Sequence, residues 1–192
     1  MLFISKHGHV DAERVKVKIF PAIERGRLDR VNGIVVHQTG GSTVRSTFFS
    51  YMDKGAYGAH FLIDKDGTIY QTASPHKVTH HVGLLKSRCL EQRSCPPIEM
   101  KKVSRMKSIP LSRHEYKKPW PERFPHNTDS IGIEIVGTHK DGVYEAVSEK
   151  QNNSVKWLIN ELTETFNVSL SEIYRHPEIS YKVDTEASTA RW

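Results

Sequence analysis

Two histidines, two acids and a lysine carry the chemistry open to this sequence. His37 closes the run Gly33-Ile34-Val35-Val36-His37, which is followed by Gln38-Thr39-Gly40-Gly41. Three β-branched apolar residues in a row predict a buried strand, and the Gly-Gly pair ends it. His37 therefore stands at the C-terminal end of a strand, where open sheets place their sites. A lone histidine there is commonly satisfied by a backbone group. A second stretch, Tyr174-Arg175-His176-Pro177-Glu178-Ile179-Ser180-Tyr181-Lys182-Val183-Asp184, shifts that balance. His37, His176 and Asp184 together offer two imidazoles and a carboxylate, a three-ligand set suited to catalytic zinc with the fourth position left for water. Between them runs Ser130-Ile131-Gly132-Ile133-Glu134-Ile135-Val136-Gly137. Alternation puts the three isoleucines on one face and Glu134 on the other. An acid in so apolar a strand is costly to bury unless it has a partner or a role.

Those residues need elements to hold them. The periodicity predicts strands over 33–37 and 131–136 and a hairpin over 59–71, with Asp66-Gly67 as its turn. Ser42 or Thr43 caps a helix running to about Lys54, ended by Gly55, with Phe48, Phe49 and Met52 as its apolar stripe. The clearest helix begins at Ser148, where Ser148 and Gln151 form a capping box. Val155, Leu158, Ile159, Leu162 and Phe166 give it one amphipathic stripe for core packing, not a binding surface. Asp141-Gly142 reads as a turn, and Ser169 and Glu172 cap one more turn before His176. Residues 1–30 are expected as a short N-terminal arm. Residues 84–129 are rich in Lys, Arg and Pro and read as a long insertion, with Pro97 opening a short helix to about Ser108. A loop region of that length inside a domain is usually functional or disordered, and one wall of a substrate groove is the expectation here. The order of elements predicts a single α/β domain, residues 31–192, with a central mixed sheet flanked by helices.

The chain has 192 residues, enough for one domain with its own core. Its 28 Lys and Arg against 22 Asp and Glu leave a formal charge of +6. That suits an acidic partner such as nucleic acid, anionic lipid or bacterial cell wall, but the basic residues are not interleaved with aromatics as a nucleic-acid binder would have them. Cys89 and Cys95 are compatible with a small disulfide in an oxidising compartment and equally with two free thiols. The N-terminal residues lack an apolar core of signal-peptide length, and no stretch reaches the ~18 apolar residues of a membrane span.

Five stretches taken together resemble one family: Gly33 to Thr39, Ala59-His60-Phe61-Leu62-Ile63-Asp64-Lys65-Asp66-Gly67, His81-Val82-Gly83, Ser130 to Glu134, and His176 to Asp184. No one of them is distinctive; the five in this order resemble the zinc-dependent N-acetylmuramoyl-L-alanine amidases. That family takes in phage amidases, bacterial anhydro-muropeptide amidases and animal peptidoglycan recognition proteins. The resemblance covers roughly residues 31–187, apart from most of the insertion. It implies zinc held by His37, His176 and Asp184. It implies Glu134 as the general base of the bacterial muropeptide-amidase branch and Lys182 as the oxyanion partner. The phage branch has a tyrosine just before the His-Phe pair, where this chain has Ala59, so the resemblance assigns no tyrosine here. Many relatives follow the last ligand with Pro-Gly, whereas this chain has Thr185-Glu186-Ala187.

The implied reaction is hydrolysis of the amide between N-acetylmuramic acid and L-alanine, with peptidoglycan or muropeptides as partners and His60 and His81 as candidate substrate contacts. Two alternatives stand beside it: a recognition module that binds peptidoglycan without cutting it, and a cytoplasmic muropeptide-recycling amidase. The insertion suggests a cell-wall-degrading effector that acts in the periplasm after non-classical delivery, with an immunity or delivery protein as a further partner.

Overall fold

Alternating apolar residues build a central seven-stranded sheet in the computed structural model, which describes residues 1–192. In chain order the elements begin β1 (Phe3–Ile4), β2 (Val10–Asp11), β3 (Val15–Val17), β4 (Glu24–Arg27), β5 (Gly33–Gly40) and α1 (Val44–Tyr51). They continue β6 (Phe61–Ile63), β7 (Ile69–Gln71), β8 (Lys77–Thr79), α2 (Arg88–Glu91), α3 (Pro97–Val103) and α4 (Ser108–Glu115). The last are β9 (Ser130–Lys140), β10 (Val143–Tyr144), α5 (Glu149–Phe166), β11 (Ile173–Arg175) and α6 (His176–Ile179). The sheet order is β11-β5-β9-β6-β7-β3, with β10 folded back on β9. Only the β6–β7 hairpin and the β9–β10 pair are antiparallel, so the sheet is mixed, as expected.

β5 and β9 lie at the centre and are buried on both faces, which is why they read as apolar runs. One face packs on α5. Ile34, Val36, Ile131, Ile133 and Ile135 meet Val155, Leu158, Ile159 and Leu162 there, all at or below 1% exposure. Each such side chain contributes about 1.5–3 kcal/mol by leaving water. The capping box at Ser148 and Gln151 is present. The helix ends at Asn167 in the left-handed conformation, at φ 53°.

The opposite face carries the site. Parallel pairing sets His37 beside Glu134, and β6 places Leu62 on the other flank of Glu134. Side chains alternate, so His37 and Glu134 point away from the α5 core while Val36 and Ile133 point into it.

Three expectations change. The N-terminal arm is built into the body: β3 pairs in parallel with β7, and Leu2, Val10, Val15 and Leu28 join the main core. On α1 the expected apolar stripe is not the buried one. Phe49 and Met52 are exposed, whereas Thr47 and Tyr51 face inward. The face beneath α1 is the wall of a polar cavity, so it takes hydroxyl-bearing side chains. In the insertion, Pro97 does open α3, but that helix ends at Val103 instead of about Ser108, and two further helices, α2 and α4, flank it.

Candidate active site

His37, His176 and Glu186 meet at the bottom of a cavity of about 670 Å³. β5 supplies His37 from within the strand, which runs on to Gly40, and α6 starts on His176 immediately after β11. β11 and β5 are paired neighbours, so the two rings come together with centroids 4.2 Å apart. Glu186 Oε1 lies 2.9 Å from His176 Nδ1 and 3.7 Å from His37 Nδ1. All three residues are buried.

The expected third ligand, Asp184, is not there. A turn closes where Glu186 N–H donates to Val183 O at 2.9 Å. It turns Asp184 out to solvent, beside Arg175, Glu178 and Ser188. The same turn sends Glu186 inward. Ala187 N–H donates to Gln38 Oε1 at 2.9 Å and locks that arrangement. The Thr185-Glu186-Ala187 departure from the Pro-Gly pattern was the available signal for Glu186.

His81 lines the cavity and His60 does not. His81 Nδ1 lies 3.0 Å from His37 Nε2, and His81 Nε2 lies 3.2 Å from Ser130 Oγ. Ser130 Oγ in turn donates to His126 O. This chain orients the His37 ring and leaves its Nδ1 for the cluster, the usual support behind a metal-ligating histidine. Asn127 Oδ1 accepts from the backbone N–H of both His81 and Val82 and holds that segment in place. Gly132 makes room, because a Cβ there would come within 2.8 Å of His81 Cγ. His60 is fully buried. Its Nε2 meets Lys77 O at 2.8 Å, and its Nδ1 accepts from Gly132 N–H at 3.0 Å. Burial holds its pKa down at about 4, so it is a neutral brace between β8 and β9.

Glu134 faces the cavity and is hydrogen-bonded by the Tyr51 hydroxyl from α1. Burial raises the Glu134 pKa, while the Tyr51 hydrogen bond and the neighbouring His37 and Lys182 charges pull it down. Burial and the nearby Glu134 charge raise Tyr51 well above the ordinary phenol range, so Tyr51 is the donor. Ala59 N–H donates to the same hydroxyl at 3.3 Å. Tyr51 thus brings a phenol to Glu134 and Ala59 from α1. Gly58 permits that approach, because a Cβ there would meet Tyr51 Cε1 at 2.8 Å. Lys182 lines the cavity from the opposite rim.

Two buried imidazoles and a carboxylate facing one open cavity suit a divalent cation such as zinc. His37 Nδ1 lies 3.7 Å from Glu186 Oε1, and the Glu186 pKa is held far below the carboxylate range. Desolvation alone would raise it; the hydrogen bond with His176 and the neighbouring His37 outweigh that. The carboxylate is thus ionised and ready to ligate.

A sequence model of N-acetylmuramoyl-L-alanine amidase matches residues 27–189. Several solved structures share the fold. The selenomethionine derivative of AmpD is 18% identical, with TM-score 0.59 over 92% of this chain and 88% of that one. The catalytic domain of XlyA is 20% identical, with TM-score 0.53 over 88% and 87%. A mutant endolysin from Bacillus subtilis is 19% identical, with TM-score 0.52 over 84% and 82%. A comparison with curated protein sequences finds no match.

Proposed function

Because the chain belongs to the N-acetylmuramoyl-L-alanine amidase family, we propose that it is a zinc-dependent enzyme that cleaves the muramoyl–L-alanine amide of peptidoglycan. The observation that carries this reading is the convergence of His37, His176 and Glu186 with Glu134 in one cavity.

Zinc held by His37, His176 and Glu186 would supply Lewis acidity at the scissile carbonyl and at the attacking water. Glu134 takes a proton from that water as its oxygen bonds to the carbonyl carbon. The C–N bond then breaks, and Glu134 returns the proton to the departing alanine nitrogen. The products are a free lactyl carboxylate and a free stem peptide. Tyr51 holds the Glu134 carboxylate through its hydroxyl and keeps one oxygen aimed into the cavity. The Lys182 ammonium faces the negative charge that develops on the carbonyl oxygen. Ser130 and His81 keep the His37 ring from rotating.

The finer assignment is a cell-wall-degrading effector working in an oxidising compartment. Cys89 and Cys95 are bonded to each other, the state such a compartment maintains. No helix is long and apolar enough to cross a membrane. The test is mass spectrometry of muropeptides after incubation with the purified protein, with chelator and then with added zinc. Free stem peptides that vanish with chelator and return with zinc are expected. Intact muropeptides under every condition would leave a binding module instead.

A further inference from the structure

The charge of this protein is not spread over it. Residues 84–129 hold 11 Lys and Arg against 5 Asp and Glu, while the remainder holds 17 of each. The insertion therefore carries the entire +6. Inside it, Arg88, Lys118 and Arg123 are committed to Glu172, to Glu99 and Glu115, and to Asp129. Lys101, Lys102, Arg105, Lys107, Arg113 and Lys117 are exposed and have no acidic partner.

The same helices expose aliphatic side chains. Ile98 on α3 is 87% exposed and Ile109 on α4 is 52% exposed, with Met100 at 40%. On α3 the inward positions are Glu99 and Val103, so Ile98, Lys101 and Lys102 lie round the outer side. On α4 the inward positions are Leu111, Ser112 and Glu115, so Ile109 and Arg113 lie on the outer side one turn apart, with exposed Lys117 just past the helix end. The inner side of α4 braces the cavity wall. Ser112 Oγ accepts from Leu85 N–H at 2.8 Å, and Tyr116 Oη donates to Gly83 O at 3.2 Å. Gly83 and Leu84 line the cavity.

We infer that the outer surface of α3 and α4 is a docking face for an anionic lipid bilayer, set directly behind the wall of the catalytic cavity. Lys and Arg attract acidic headgroups, and the protruding isoleucines enter the headgroup–acyl boundary. Neither helix exposes an aromatic on that side, which a single-stranded nucleic acid would need for stacking. A phosphate-bearing polymer would be served by the charges alone and would leave Ile98 and Ile109 without a use. The face would hold the enzyme at the membrane side of its substrate.

The test is co-sedimentation of the full chain with vesicles of phosphatidylcholine, and of phosphatidylcholine with phosphatidylglycerol, in low and high salt. Soluble polyphosphate serves as a competing polyanion. Binding is expected only to the acidic vesicles and is expected to weaken with salt. The triple variant Lys101→Glu, Lys102→Glu, Arg105→Glu should lose at least about tenfold in vesicle affinity. The double variant Ile98→Ser, Ile109→Ser should weaken vesicle binding and leave polyphosphate binding unchanged. Both variants should cleave soluble muropeptides as the parent does, which separates this inference from the catalytic assignment. Equal binding to neutral vesicles, or no binding to acidic ones, would overturn it. So would vesicle binding indifferent to the isoleucine pair, the result for a face that takes any polyanion. Should the isoleucine variant fold poorly, competition on the unaltered protein decides: acidic-vesicle binding that survives saturating polyphosphate supports the lipid face, and binding fully displaced by it overturns the inference.

Discussion

Tyr51 donates to Glu134 and accepts from Ala59 N–H, so its hydroxyl is used twice. Its ring packs edge-on against Phe20, with centroids 5.7 Å apart. Tyr51→Phe keeps that packing and removes only the hydroxyl. Turnover should fall by roughly tenfold with KM nearly constant, because one hydrogen bond to a charged group is worth about 1.5–3 kcal/mol and part of it is recovered by water. A purely structural Tyr51 would lower the melting temperature and spare kcat. Glu134→Gln preserves shape and removes basicity; a loss of about 10²–10⁴-fold in turnover with unchanged zinc content is expected from single-turnover assays. Wild-type turnover in that variant would remove Glu134 from the proton-transfer step. At this scale the sequence singled out three residues that line the cavity, His37 and Glu134 because they stand in apolar strands and His176 because it follows a short strand. Asp184 was misplaced because a spacing of two after lysine says nothing about which way a turn faces, and Tyr51 was missed because an aromatic on an amphipathic helix reads as core.

Between elements, the cross-braces decide which rings can move. Gly132→Ala on β9 would press on His81 and tilt it off His37. The expected result is weaker metal retention in a competition with a chromogenic chelator, with little change in secondary structure by circular dichroism. His60 joins β8 to β9, and its folded pKa of about 4 lies below the ordinary 6.5. Protonation is therefore resisted by the folded state, so stability is full above about pH 6.5 and declines as the pH falls toward 4. About 2 kcal/mol should be lost between pH 7 and pH 5. Urea unfolding at both pH values measures it; buried His81 and His126 also have lowered pKa values and add to the same loss, so His60→Gln should make the dependence shallower by that share, and an equal slope in that variant would assign the loss elsewhere. Strands β5, β6, β7 and β9 and helix α5 could be anticipated because apolar strand runs, a hairpin turn and a capping box are local signals, whereas the order of the strands in the sheet depends on pairing between distant segments. Helix α4 could not, since Pro110 argues against a helix. It falls in the first turn, where the backbone N–H has no intrahelical partner to lose.

Over the whole molecule, a neutral amidase body carries a basic insertion with one small disulfide loop near its start. The Cys89–Cys95 bridge spans a sequence separation of 6, a small loop, so it should contribute roughly 2 kcal/mol. Thiol titration of the denatured, unreduced protein should find no free cysteine, and the Cys89→Ser, Cys95→Ser variant should melt at lower temperature. Two titratable thiols would place the working protein in a reducing environment. Neither the pairing nor the bracing of the cavity wall by α4 could be read from spacing, because both depend on contacts made across the insertion after it folds.

The ligand set is the claim on which the site, the mechanism and the family-level chemistry meet. Elemental analysis of zinc-loaded, desalted Glu186→Ala and Asp184→Ala, prepared side by side, tests it directly. One zinc per chain should survive in Asp184→Ala and most of it should be lost in Glu186→Ala. Zinc retained without Glu186 and lost without Asp184 would contradict the account.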